Sequence, residues 1–243
     1  MCHDDDSRPP SPPTIGEVAS HGVLTLTGAD GNTLAAYEAV PVAPNGRNIV
    51  ILPDVRGLHP YYEALAVRFA EAGYHAIAFD YFGRTQGAAQ RPEGFDWQSE
   101  LGSLTPEGVE SDVAAAAAHV NGTNAGPTFT VGFCFGGSHS WRLSASGLDL
   151  AGVMGFYGQP PMIADVEERF RTPLLLFVGG ADRATPVENF RALDARLTSR
   201  GVDHEMYVYD GAPHSFFDRA FAEWRDACTD AWDRMITFTE RLG

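Results

Sequence analysis

The sequence predicts an α/β fold, a mostly parallel sheet covered by helices on both faces. Three observations carry this expectation. Short runs that are apolar almost throughout recur along the chain: NIVILPD at 48–54, HAIAFDY at 75–81, TFTVGF at 128–133, AGVMGFYG at 151–158 and PLLLFVGG at 173–180. Runs of this kind mark strands buried on both faces. Segments with helical spacing lie between them, and alternation of strand with helix is the signature of parallel strands joined by crossover helices. Finally, 243 residues that are 44% hydrophobic suffice for one sizeable core. The division expected is a mobile N-terminal arm over 1–20 and a single α/β domain over 21–243.

Each element has its own warrant. Residues 1–13 combine acids, serine and the prolines Pro9, Pro10, Pro12 and Pro13, a composition that buries little by itself. GVLTLTG and TLAAYEAVP flank Asp30-Gly31-Asn32 and read as an antiparallel hairpin. Leu65, Phe69 and Ala72 set a helix over 61–72 that Gly73 stops. The stretch 83–105, rich in Gly, Gln and Pro, reads as a long surface loop or small cap over a site. The alanine run within 109–120 is a strong helix former, and a helix opens at Phe135. The end of the chain reads as helix 186–200, strand DHEMYVYD at 203–210 and helix 217–241.

Charge and cysteine usage narrow the function classes. Seventeen Lys and Arg against 32 Asp and Glu give a net charge of −15, which repels nucleic acid and anionic lipid surfaces. Cys2, Cys134 and Cys228 are too few and too irregular for a disulfide framework. The start MCHDDDSRPPSPP lacks the cationic and apolar regions of a signal peptide. No run approaches the ~20 apolar residues that span a bilayer. A cytoplasmic protein is expected, and Cys2, His3 and Asp4 to Asp6 read as a solvated acidic terminus rather than a metal site.

In open α/β sheets, ligands bind beyond the carboxyl ends of the strands. Cys134 follows the run 128–133 within VGFCFGGSHS, Asp182 follows 173–180, and His214 follows 203–210 in GAPHSF. Glycines around a nucleophile at a strand-to-helix turn form the elbow G-x-S-x-G, here with sulfur in place of oxygen. The order nucleophile, acid, histidine is that of α/β-hydrolases. Each residue also has a plainer reading, as a buried thiol, a loop cap and a surface imidazole. Their joint placement favours chemistry. Cys134 would attack as thiolate at a helix N-terminus, His214 would move its proton, and Asp182 would hold the imidazole. His139, one turn past the elbow, is a minor rival base. The elbow supplies one oxyanion donor, the amide of Phe135, and a second is expected from the loop at 54–57. Arg56 is a candidate cation at the same mouth. Tyr81, Phe82, Tyr157 and Phe216 are candidate apolar walls, the last two as substrate contacts.

GFCFGG, GGAD, GAPHSF, LPDVRGL and DYFGR fall in order along residues 21–242 and resemble the dienelactone hydrolase family of α/β-hydrolases. The resemblance implies a Cys134–Asp182–His214 triad that opens a carboxylated enol-lactone without metal or organic cofactor. It implies oxyanion donation by Phe135 and Val55, and Asp54 as the carboxylate that modulates the thiol. Arg84 matches a substrate-binding arginine of the family. The second such arginine is replaced by Asp218, with Arg219 one residue late.

The chemistry favours activated esters, because a thiolate departs more readily than an alkoxide and acylation reverses unless the leaving group is removed. The expected function is hydrolysis of a small ester or enol-lactone through a cysteinyl acyl-enzyme. The alternatives are a carboxylesterase or thioesterase of other acyl preference, and a non-catalytic small-molecule binder on the same fold. The partner expected is a small ester or lactone, not nucleic acid or membrane.

Overall fold

The computed structural model describes residues 6–91, 94–218 and 222–243. Its strands are β1 (Val18–Thr27), β2 (Thr33–Pro41), β3 (Asn48–Leu52), β4 (His75–Phe79), β5 (Thr128–Phe133), β6 (Gly152–Phe156), β7 (Leu174–Gly179) and β8 (His204–Tyr209). They form one sheet in the order β1-β2-β4-β3-β5-β6-β7-β8. β1 pairs antiparallel with β2, and β2 antiparallel with β4. All later pairings are parallel. The five apolar runs are buried along β3, β4, β5, β6 and β7, as strands covered on both faces must be.

The helices are α1 (Pro60–Glu71), α2 (Gly83–Gln86), α3 (Trp97–Glu100), α4 (Pro106–Thr123), α5 (Phe135–Arg142), α6 (Val187–Ser199) and α7 (Arg225–Leu242). Local chemistry starts them: Pro60 and Pro106 occupy first turns, and Thr105 Oγ1 accepts the Gly108 amide at 3.1 Å. Tyr61, Leu65 and Phe69 of α1 join Trp232, Met235 and Phe238 of α7 in the core on one face. Val113, Trp141, Phe190 and Leu193 from α4, α5 and α6 fill the other. Among the described residues, no helix is long and apolar enough to cross a membrane.

Two expectations need correction. The last helix begins at Arg225, not at 217, because Phe217 is used as a core anchor against Phe133 and Phe156. The expected arm is docked over its described part, and β1 already begins at Val18. Ser7, Pro9, Pro10 and Pro12 are buried. The Arg8 amide donates to Asp218 Oδ1 at 3.0 Å, and Trp232 Nε1 donates to the Pro10 carbonyl at 3.2 Å. The Gly16 amide reaches the Glu71 carbonyl at 2.7 Å. Proline rings are apolar and conformationally stiff, so seating them on a helix face orders little that was free. Composition describes a segment alone, and the surface waiting for it lies more than 200 residues away. Cys2, His3, Asp4 and Asp5 lie outside the described residues, as does Arg219.

β3 has β4 on one side and β5 on the other. The chain therefore reverses its direction of winding between β3 and β5, the place where open α/β sheets form their ligand crevice beyond the carboxyl ends. Cys134 and the loop 53–58 both emerge at that place.

Candidate active site

Cys134 stands between β5 and α5 with φ 55 and ψ −111, the strained backbone of a residue forced into a tight strand-to-helix turn. Close packing underneath fixes the turn. A Cβ on Gly136 would lie 2.1 Å from the Leu52 carbonyl oxygen and 2.2 Å from that of Pro53, so only glycine lets α5 start against the end of β3. The Cys134 amide donates to the Phe156 carbonyl at 3.0 Å. Ser138 Oγ donates to the Cys134 carbonyl at 3.2 Å and accepts the Gln159 amide at 2.8 Å, tying the elbow to the loop after β6. No sequence signal singled out Ser138.

Asp182 and His214 arrive from the loops after β7 and β8. His214 Nδ1 lies 2.7 Å from Asp182 Oδ2. Asp182 Oδ1 accepts the amides of Ala184 and Thr185 at 2.8 and 3.2 Å, which aims the other oxygen at the imidazole. His214 also hydrogen-bonds the Cys134 side chain. Burial pulls the His214 pKa down, but the hydrogen bonds to Asp182 and Cys134, with their charges, outweigh it and raise it to about 9. The folded protein thus favours the protonated imidazole at neutral pH.

The other candidates contrast with this group. Cys228 is buried, its Sγ is 3.4 Å from the Phe216 carbonyl, and burial pushes the thiol up to about 12. His139 packs on the Phe135 ring with centroids 4.4 Å apart, and burial followed by Arg142 draws it down to about 4. It is a neutral packing residue beside the elbow.

The loop after β3 carries Asp54, Val55 and Arg56. Asp54 is buried, and Arg56 clasps it with Nε to Oδ1 at 3.1 Å and Nη2 to Oδ2 at 3.0 Å. The Arg56 amide adds 2.9 Å to Oδ1, and Nη1 lies 3.4 Å from His59 Nε2. Tyr81, expected as an apolar wall, instead donates its hydroxyl to the Pro53 carbonyl at 2.7 Å while its ring meets Phe135 edge-on at 5.3 Å. One side chain therefore touches both segments expected to donate to an oxyanion.

Tyr157 and Phe216 are fully buried. The Tyr157 ring lies 4.8 Å from the His214 ring and 5.8 Å from Phe216, with a left-handed φ of 38. Tyr157 packs on the imidazole, and Phe216 backs Tyr157. Phe82 packs on Phe95.

Arg84, expected to bind substrate, is held in ion pairs. Its Nη1 lies 2.6 Å from Asp30 Oδ2, and its Nη2 lies 2.7 Å from Asp112 Oδ1 and 3.0 Å from the Gly108 carbonyl. The guanidinium is a clamp between the β1–β2 turn and α4, with its donors spent on two carboxylates. Asp218, in the place expected for a second cation, is buried and accepts the Arg8 amide.

Comparison with known proteins accords with this arrangement. The model of the dienelactone hydrolase family matches residues 34–242. The chain belongs to the dienelactone hydrolase family. Its sheet of eight mostly parallel strands with helices on both faces is the α/β-hydrolase fold, and the protein is a hydrolase of that family. It is similar to a protein of Escherichia coli K12 named "Putative carboxymethylenebutenolidase", 26% identical over 239 residues, covering 90% of this chain and 87% of that one. Among solved structures it resembles a dienelactone hydrolase-like promiscuous phosphotriesterase from metagenomic libraries, with TM-score 0.73 and 21% identity over 93% of this chain and 100% of the other. An esterase of Pyrococcus furiosus shares the fold at TM-score 0.69 and 14% identity, with 96% and 98% covered. Among the described residues, no group of three or more His, Cys, Asp or Glu is placed to hold a metal ion.

Proposed function

We propose that this hydrolase cleaves a small activated ester or enol-lactone through a cysteinyl acyl-enzyme. The observation that carries the reading is the His214 imidazole, bonded at once to Asp182 and to the side chain of Cys134 at the strained elbow. In this reading Cys134 Sγ passes its proton to His214 and attacks the carbonyl carbon. The amides of Phe135 and Val55 receive the negative oxygen. Collapse breaks the ester C–O bond, and His214 returns the proton to the departing enol or alcohol oxygen. Water then gives a proton to His214 and attacks the thioester. The second tetrahedral adduct expels the Cys134 thiolate and leaves the acid. Asp182 keeps the imidazole in one tautomer throughout. Asp54, neutralised by Arg56, tunes the field around the thiol.

A carboxylate on the substrate is the finer expectation. The engagement of Arg84 with Asp30 and Asp112, and of Arg56 with Asp54, favours a second reading: an esterase that takes an uncharged acyl group. Dienelactone and a chromogenic acyl ester, assayed in parallel with Cys134→Ala as the blank, test both. Dienelactone turnover lost in the variant supports the enol-lactone reading. Cysteine-dependent turnover of the simple ester alone supports the second. Saturable ligand binding without an acyl-enzyme would return the protein to a binding role.

A further inference from the structure

Asp80 closes β4, is 1% exposed, and its carboxylate is shared among three segments. Oδ1 accepts the Leu58 amide at 3.3 Å, at the end of the loop that follows β3. Oδ2 accepts the Phe82 amide at 3.0 Å and is clasped by Arg91 through Nε at 3.0 Å and Nη2 at 2.8 Å. Arg91 belongs to the cap-like stretch 83–105 and also donates to the carbonyls of Gln86 and Gly87. Its guanidinium lies 5.5 Å from the centre of the Phe95 ring, which packs on Phe82.

The loop is moulded to this carboxylate. Gly57 has φ 73, and a Cβ there would sit 2.3 Å from Asp80 Oδ1. Its amide closes back on the Asp54 carbonyl at 3.1 Å. The turn that carries Val55 is thus pinned at one end by the Asp54–Arg56 pair and at the other by Asp80. Burial pushes the Asp80 carboxyl above its ordinary value and Arg91 opposes that, so Arg91 helps keep both oxygens as acceptors.

We infer that Asp80 and Arg91 are positioning residues for the Val55 amide, and that through them the 83–105 stretch is coupled to turnover. The inference rests on the acyl-enzyme reading above. A misplacement of about 1 Å at such a donor costs on the order of 10²-fold.

The test compares wild type, Arg91→Ala, Arg91→Lys, Gly57→Ala and Cys134→Ala in two reactions. One is steady-state hydrolysis of a chromogenic acyl ester. The other is alkylation of Cys134 by iodoacetamide, a displacement at saturated carbon that forms no oxyanion. Arg91→Ala and Gly57→Ala are expected to lower kcat by about 10- to 100-fold with KM within about twofold and alkylation at the wild-type rate. Arg91→Lys, which keeps the charge without the fork, recovers part of the loss. Wild-type kcat in Arg91→Ala, or kcat and alkylation falling together, overturns the inference. Turnover that survives in Cys134→Ala removes the acyl-enzyme reading itself, and that blank separates the two failures.

Discussion

The Nδ1 of His214 lies 2.7 Å from the buried Oδ2 of Asp182, while the other carboxylate oxygen is occupied by two backbone amides. The acid is therefore locked in orientation before any substrate arrives. Asp182→Asn should leave the fold intact and lower kcat by about 10² to 10⁴-fold, through loss of the tautomer and of charge opposite the imidazolium. Steady-state kinetics, with circular dichroism as the check on folding, decides this. An effect below tenfold would remove Asp182 from the mechanism.

The same pair makes stability depend on pH. His214 is raised from an ordinary 6.5 to about 9 in the folded protein. Its stabilising contribution is fully present below pH 6.5 and is lost as pH rises through 9. The span corresponds to at most about 3 to 4 kcal/mol at roughly 1.4 kcal/mol per unit. Urea unfolding at pH 6 and pH 10 should show this loss in the wild type and much less of it in His214→Gln.

Arg84 offers a test of the clamp. Its loss would strand Asp112, whose side chain is 1% exposed, with Asn32 at 3.0 Å as its one side-chain donor left among the described residues. Arg84→Ala should lower unfolding stability by about 2 to 4 kcal/mol. KM for an anionic ester should stay within about twofold of wild type. A large rise in KM without loss of stability would restore Arg84 as a substrate contact.

Ser215 sits directly after His214 at φ 63, buried, with its hydroxyl lacking a hydrogen-bond partner among the described residues. Ser215→Gly relieves the left-handed strain and removes the unsatisfied hydroxyl. The gain expected in thermal unfolding is about 1 kcal/mol after the entropy cost of glycine. Unchanged or lowered stability would mean that Oγ has work in the folded protein.

Removal of residues 1–13 should destabilise by about 2 kcal/mol, because it uncovers the Trp232 edge and leaves its indole N–H without the Pro10 carbonyl. Differential scanning calorimetry of the truncated and full chains measures it. Equal stability would mean that the docked segment contributes nothing net.

Much of the fold was legible because a strand covered on both faces needs continuous apolar residues, as in Ile49 to Leu52 or Leu174 to Val178. Cys134, Asp182 and His214 stood out because each lies just past such a run, and the structure brings Asp182 within 2.7 Å of His214. What escaped was decided by partners distant in the chain. Arg84 looked like a ligand-binding cation until Asp30 and Asp112 were seen on it. Tyr81 read as an apolar wall, although its hydroxyl bridges to Pro53. Asp80 stands in the same post-strand position as Cys134, Asp182 and His214, so the rule that singled them out applies to it too. The prolines of the arm revealed stiffness but not the surface they settle on.

The reversal of winding between β3 and β5 divides the chemistry along the chain. In the proposed reading, the residues that supply and relay the proton, Cys134, Asp182 and His214, follow β5, β7 and β8, all C-terminal to residue 127. The turn that carries Val55, and the carboxylate and guanidinium that brace it, lie N-terminal to residue 92. In that reading, substitutions at the Asp80–Arg91 brace reset how fast the intermediate is reached and leave the thiol as reactive as before, whereas substitution of Asp54 acts on the thiol itself. On that reading the brace is tunable apart from the attacking group, so the rate of such an enzyme can change without its nucleophile being rebuilt.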